Sequence, residues 1–468
     1  MKKLALKPLS TPDQLHAWVK LFCGLDVPRT AMCAKHDAPF DYLVRAYFEP
    51  ARDLVVWAPR GGGKTRLAAV ATLLDLLHKP GTAVRVLGGS LEQSLKMWDY
   101  LLPDLVRVGR LLLPDGKLPR ESTRKVKLTN GSTAAVLTQS QRAVRGLRVQ
   151  KLRCDEVELF DENVWEAAQL ATRSTEHATA AIEAASTHHK SGGLMGRVID
   201  NAAGRDAALV RWCLLDVLQP CPATRDCDAC VLFDECRGRA KERTSGFVSI
   251  DDAVRMKGRV SVETWQAEML CRRPSTRGRV FGSFDEDVHV RPFDGEAEEM
   301  AIGVDFGFAA PFVALWIATI GEVRHVVDEY VQPGRTVPEH AAELSSRDWP
   351  ARQIYCDPAG AAMVGQTGAS DAAVLRRAGF KVRFRASRIA EGLELIRRDL
   401  KPADGSLPRL LIDPRCKRLI EAMRSYHYPD TGGELPQKDG THDHPIDALR
   451  YALIHLARPV TITGGGLY

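Results

Sequence analysis

A chain of 468 residues is long enough for two or three domains, each with its own core. Hydrophobic residues at 45% and charged residues at 26% are ordinary for a globular protein, and no run approaches the ~18 apolar residues of a membrane span. The opening stretch Met1–Pro8 is too broken for a secretory leader, so a cytosolic chain is expected. A net charge of +6 suits a polyanionic partner. The excess is gathered in two places: Arg272, Arg273, Arg277, Arg279 and Arg291, then Arg376, Arg377, Lys381, Arg383, Arg385 and Arg388. Each cluster reads equally well as a solvated face or as a phosphate-binding edge.

In chain order, Asp53 to Ala58 reads as a buried strand, followed by a glycine loop and an apolar helix from about Thr65 to Leu77. Ala83 to Gly88 is a second strand and Leu91 to Leu102 a helix. Val126–Leu128 and Thr133–Leu137 flank Asn130-Gly131, a hairpin signal. Strands at Leu152–Cys154 and Ala180–Ala185 complete a pattern of alternating strands and helices, which argues for a parallel sheet covered on both faces.

From about Asp200 to Arg291 the alternation breaks down, with short helices expected near 251–257 and 262–270. It returns as three consecutive antiparallel strands at Ala301–Val304, Phe312–Ile317 and Val323–Tyr330. A helix at Pro338–Ser346, a strand at Gln353–Cys356 and a last helix at Pro445–Ala457 follow, and Gly464–Gly466 reads as a loose tail. The expected architecture is an α/β chain. Residues 1–245 are expected to form a P-loop domain with a cysteine-rich insertion near 213–240, 246–295 a linker, and 296–468 a second α/β domain.

The strongest local motif is Ala58-Pro59-Arg60-Gly61-Gly62-Gly63-Lys64-Thr65, between a strand and a helix. Glycines let backbone N–H groups close around phosphate, and the helix N-terminus adds its positive end. Lys64 is expected on the β/γ-phosphates and Thr65 on Mg²⁺. Ala58 stands where the usual motif has its first glycine. Asp155-Glu156 is the candidate acidic pair for the Mg²⁺ shell and the attacking water, or else part of an exposed acidic turn within Asp155–Glu162, since Lys151 and Arg153 make a poor central strand. Arg145 and its neighbours suit DNA or a γ-phosphate, and Ser186-Thr187 ends a strand where a γ-phosphate sensor or an ordinary turn belongs.

In the second half, Asp305 and Asp357 each end a strand, while Asp443 and Asp447 lie four residues apart where the last helix begins. Acidic residues delivered this way can hold two hard cations and cut a phosphodiester, as in an RNase H-like nuclease. Cys221, Cys227, Cys230 and Cys236 offer four thiolates for zinc or an iron–sulfur cluster, or are unligated; zinc is favoured.

Taken in this order, the motifs resemble the large terminase subunit of tailed bacteriophages. The resemblance rests on the Arg60–Thr65 loop, Arg145-Gly146 before Asp155-Glu156, Ser186-Thr187, Val304-Asp305-Phe306-Gly307 and His442-Asp443-His444…Ile446-Asp447. It implies an ATPase that drives double-stranded DNA into a procapsid and a nuclease that cuts concatemers. Arg60, Gly61, Gly62, Gly63, Lys64, Thr65, Asp155, Ser186 and Thr187 then bind ATP with Mg²⁺, and Glu156 is the catalytic glutamate. Arg145, in preference to Arg60, is the arginine finger between subunits. Asp305, Asp357 and Asp443, helped by Asp447, bind two Mg²⁺ or Mn²⁺. The implied partners are DNA, the portal, a small terminase subunit and further copies in a ring, usually of five, in the host cytoplasm. A helicase-like or repair ATPase fused to a nuclease is the alternative, and a transposase-type recombinase a third. A helicase would need a second motor domain, which the residues after Ser186 do not suggest.

Overall fold

The computed structural model describes residues 8–49, 53–112, 120–122, 124–176, 178–189, 193–202, 204, 207–242, 244–274, 278–361, 370–429 and 435–456. Arg277 and the glycine tail fall outside them. The chain divides into two units, Met1–Met256 with Glu263–Pro274, and Lys257–Val262 with Ser275–Tyr468. The stretch 246–295 read as a linker is thus shared between the units. Among the described residues no helix is long and apolar enough to cross a membrane.

The first unit is built on eight strands: β1 (Asp53–Trp57), β2 (Ala83–Gly88), β3 (Arg120–Ser122), β4 (Lys125–Lys127), β5 (Thr133–Leu137), β6 (Lys151–Asp155), β7 (Ala181–Ser186) and β8 (Ala207–Arg211). Their order is β3-β4-β5-β2-β6-β7-β1-β8. From β5 to β8 every pairing is parallel, whereas β4 runs antiparallel to β3 and β5. The Asn130-Gly131 turn makes the β4–β5 hairpin, with Gly131 at φ 89° where a side chain would be strained. β7 lies between the strand before the glycine loop and the strand ending in Asp155, so three strand ends bearing candidate residues sit side by side.

Two N-terminal helices, Pro12–Cys23 and Pro39–Phe48, were not anticipated. The first does carry a start signal, since the Thr11 hydroxyl accepts from the Gln14 N–H (3.2 Å) just ahead of Pro12.

The charged strand β6 has a physical explanation. Arg153 is 1% exposed at the middle of the sheet, with Nη2 2.6 Å from Asp75 and 2.8 Å from Glu183. Its Nη1 donates to Thr72, and the Tyr42 hydroxyl donates to Glu183 (2.7 Å). Lys151 reaches Glu49 at 2.9 Å. A buried charge is tolerated only when paired and hydrogen-bonded, and these are. Arg153→Ala would remove the guanidinium that Asp75 and Glu183 share, leaving Asp75 with Lys79 (2.8 Å) and Glu183 with the Tyr42 hydroxyl, at an expected cost of about 3–5 kcal/mol of unfolding free energy in a urea titration. Burial works against ionised Asp75, but Lys79 and Arg153 hold its carboxyl down at about 2 against an ordinary 3.8. The stability this carboxylate contributes is therefore complete above pH ~4 and lost as pH falls through about 2. Arg153→Ala should lose stability at higher pH than the wild type does. Equal urea midpoints for the two proteins at pH 6 would refute this account.

The second unit holds β9 (Glu299–Asp305), β10 (Phe312–Ile320), β11 (Val323–Gln332), β12 (Gln353–Cys356), β13 (Lys381–Phe384) and β14 (Leu410–Ile412), in the order β13-β12-β9-β10-β11-β14. β9, β10 and β11 form the expected antiparallel meander, and β12, β13 and β14 join in parallel. Alternation along β10 sorts its side chains into two cores. Val313, Leu315 and Ile317 pack with Leu393, Leu419 and Leu449 on one face, and Phe312, Ala314, Trp316 and Ala318 with Leu344 and Leu375 on the other. The helix Asp443–Leu456 is buried along almost its whole length. A Cβ on Gly303 would stand 2.3 Å from the Ala448 carbonyl, so only glycine lets this helix lie directly on β9.

Candidate nucleotide and metal sites

At the C-terminal ends of the parallel strands, where such sheets bind ligands, the glycine loop leads into the helix Lys64–His78. Gly61 and Gly63 adopt φ of 71° and 81°, and a Cβ on Gly63 would also press on Phe247 at 3.1 Å. The loop is anchored from outside: the Trp212 indole N–H donates to the Gly62 carbonyl (2.9 Å).

The predicted residues converge here. Lys64 Nζ lies 2.6 Å from Glu156 Oε1, and the Thr65 hydroxyl donates to Asp155 Oδ2 (2.7 Å). The Ser186 hydroxyl donates to Glu156 Oε2 (3.2 Å) and accepts from the Glu158 N–H. Glu156 occupies the left-handed region at φ 56°, a conformation that costs a non-glycine residue about 1 kcal/mol or more and is typical of functional sites. Burial opposes its ionisation, but the Lys64 ammonium holds its carboxyl below the ordinary range. Asp155 goes the other way: burial raises it, Lys64 opposes, and the neighbouring Glu156 charge adds to the rise. Its Oδ1 is buried without a hydrogen-bond partner, which fits a group awaiting a cation. Thr187 is buried, with its hydroxyl 2.9 Å from His189 Nδ1. Arg60 pairs with Glu268 (2.9 Å), a partner no local pattern reveals. Arg145 stands exposed in the loop before β6, beside Arg148, Asn163 and Glu166.

In the second unit Asp305 ends β9 and Asp357 follows β12, its parallel neighbour. Both are tied to the helix Asp443–Leu456. His444 Nδ1 lies 2.8 Å from Asp305 Oδ2, and the Tyr451 hydroxyl donates to Asp357 Oδ2 (2.6 Å). Burial raises the Asp305 carboxyl, opposed by His444, while Asp447 and Asp357 push it further up. His444 is raised in turn by its hydrogen bond to Asp305. Asp447 is held by Arg450 (3.0 Å) and approached by Lys438. Asp443 is buried with Oδ1 unpartnered, and its charge bears on His444 and Tyr426. Asp447 and Asp357 thus act on Asp305, and Asp443 and Asp447 both act on the His444 beside it. Tyr451 and Arg450 went unnoticed because nothing local distinguishes them from core and surface residues of a helix.

The six basic residues from Arg376 to Arg388 are all exposed, on and around the edge strand β13 beside β12. Cys221, Cys227, Cys230 and Cys236 line one small hollow. Neither they nor the aspartates come within mutual ligand distance in threes among the described residues; a different set does.

Residues 302–456 match the family described as the terminase RNaseH-like domain. No curated protein matches the chain. Among solved structures, the large terminase of a thermophilic bacteriophage in complex with ADP is 16% identical, covering 88% of this chain and 97% of that one, with a TM-score of 0.53. A second crystal form of that terminase is 15% identical, covers 88% and 98%, and has a TM-score of 0.54. A form with ATP-γ-S gives 15%, 88%, 97% and 0.51. Residues 302–456 thus resemble the terminase RNaseH-like domain, within a chain that has the fold of a bacteriophage large terminase.

Proposed function

We propose that this chain is a packaging motor and nuclease: ATP hydrolysis in the first unit drives double-stranded DNA into a procapsid, and the second unit cuts it. The observation that carries the reading is the joining of Lys64, Thr65, Asp155, Glu156 and Ser186 in one network, in a chain whose residues 302–456 match the terminase RNaseH-like domain.

The Gly61–Gly63 amides and Lys64 would hold the phosphates, and Thr65 with Asp155 the Mg²⁺, which would neutralise their charge. A phosphate would compete with Glu156 for Lys64, releasing the Glu156 carboxylate to orient water while Ser186 keeps it in place. Arg145, exposed and before β6, would reach the nucleotide of a neighbouring copy in a ring, usually of five. In the second unit Asp305, Asp357 and Asp443, helped by Asp447, would hold two Mg²⁺ or Mn²⁺ that would activate water and stabilise the leaving oxygen. The basic edge from Arg376 to Arg388 would follow the DNA backbone. Zinc would brace the hollow of Cys221, Cys227, Cys230 and Cys236. The portal and a small terminase subunit are the expected partners, in the host cytoplasm.

The test is DNA packaging with purified procapsids bearing their portal, small subunit and ATP, scored by nuclease-protected DNA. Protection that needs ATP and disappears with Lys64→Ala supports the motor. Duplex unwinding without protection would favour the helicase-like alternative.

A further inference from the structure

Two short pairs, Cys33-x2-His36 and Cys213-x2-Asp216, stand 180 residues apart in the chain and meet in the first unit. One ligand atom from each of the four residues lies within 4.8 Å of all the others. The Cys33 and Cys213 sulfurs are 3.7 Å apart. Two thiolates at ~2.3 Å from a tetrahedral zinc would be separated by about 3.8 Å, whereas a disulfide would bring them to ~2.05 Å. The His36 and Asp216 side chains are only 7% and 0% exposed, with His36 Nδ1 2.7 Å from Asp216 Oδ2.

We propose that Cys33, His36, Cys213 and Asp216 form a structural zinc site clasping the loop before the helix Pro39–Phe48 to the end of β8. Two soft thiolates with an imidazole and a carboxylate suit Zn²⁺ and disfavour Mg²⁺ or Mn²⁺. The backbone already holds both ligand pairs in place. Asp216 Oδ1 accepts from the N–H groups of Met32 (2.7 Å) and Cys33 (3.0 Å), and Oδ2 accepts from that of Cys213 (2.7 Å). The Asp37 N–H donates to the Arg211 carbonyl (2.7 Å), and the Arg211 N–H donates back to Asp37 Oδ2 (2.9 Å). Metal binding would then need the loss of ligand protons and the opening of the 2.7 Å His36–Asp216 hydrogen bond to the separation of about 3.3 Å that two N/O ligands keep on a tetrahedral zinc.

The site has a mechanical consequence. Trp212, which anchors the glycine loop through Gly62, is the residue immediately before Cys213, and its carbonyl accepts from the buried Cys271 thiol (3.1 Å). A metal joining Cys213 to residues 33–36 would hold that tryptophan, and through it the phosphate-binding loop, in register. This inference concerns metal content alone and stands apart from the packaging reading. It also concerns a different set of ligands from the hollow lined by Cys221, Cys227, Cys230 and Cys236.

The test is zinc content of the full-length chain, purified from zinc-supplemented culture, dialysed free of loose metal and read by mass spectrometry of the element. Cys33→Ser and Cys213→Ser should each lose one zinc per chain relative to wild type, and the two changes together should still lose only one, which separates this equivalent from any zinc in the hollow lined by Cys227. Cys33→His, which replaces one ligand atom by another, should retain it. Because a variant can fail to fold, the wild-type protein is also treated with iodoacetamide before and after a zinc chelator, with peptide mapping. Cys33 and Cys213 should react only after chelation. The inference is overturned if both serine variants keep the full zinc content. It is equally overturned if Cys33 reacts equally with and without chelator, or if mapping finds a Cys33–Cys213 disulfide.

Discussion

Replacing Glu156 by Gln is expected to lower ATP turnover by about 10²–10⁴-fold, the usual contribution of a positioned general base. The argument is local. Glu156 sits at φ 56° directly after Asp155, its two oxygens taken by Lys64 and Ser186, and its carboxyl is held ionised by the Lys64 ammonium against the cost of burial. Glutamine keeps the shape and an acceptor for Ser186 but removes the negative charge. Lys64 then loses its anionic partner, so nucleotide affinity should stay level or rise while turnover falls. Steady-state hydrolysis paired with fluorescent-nucleotide binding reads both quantities. Turnover within about twofold of wild type would remove Glu156 from the reaction and leave it a structural partner of Lys64.

Asp305→Asn is expected to abolish plasmid cleavage, by about 10²-fold or more, while leaving ATP hydrolysis intact. A directly coordinating carboxylate contributes several kcal/mol to a metal-dependent transition state, and each 1.36 kcal/mol is a factor of ten. Burial, and then the charges of Asp447 and Asp357, raise the Asp305 carboxyl, with His444 opposing them. Raising the pH through that elevated value ionises Asp305, so divalent-cation affinity should climb with pH as the proton is released. Mn²⁺ titrations of cleavage at stepped pH check the sign. A pH-independent metal requirement, or normal cutting by Asp305→Asn, would move the nuclease centre elsewhere.

The glycine loop, the Asp155-Glu156 pair, the strand-end Asp305 and Asp357 and the helix-borne Asp443 and Asp447 stood out as candidates because such chemistry needs fixed residue types beside a strand or helix end. Periodicity alone located the meander from Glu299 to Gln332, since strands buried on both faces read as apolar runs. Where charge stood in place of apolar side chains, as at Lys151 and Arg153, local pattern pointed away from a central strand. The partners that make the charge acceptable, Glu49, Asp75 and Glu183, lie on other elements. The short elements after Cys356 were missed in detail for a related reason: strands of three or four residues such as β13 and β14 carry too few positions to show a period.

The cysteines divide along the same line. Cys221, Cys227, Cys230 and Cys236 drew notice by crowding within one segment, yet they only line a shared hollow. Cys33 looked scattered, and it meets Cys213 across 180 residues because the loop before the helix Pro39–Phe48 pairs with the end of β8. Which residues are candidates for phosphate and metal chemistry was legible in the sequence itself, through residue type and position on a single element. Which of them share a field, with His444 on Asp305, Tyr451 on Asp357 and Cys33 against Cys213, was decided by the tertiary structure alone. Those contacts join side chains far apart in the chain, and only the packing of each sheet with its own helices and loops sets the distances between them.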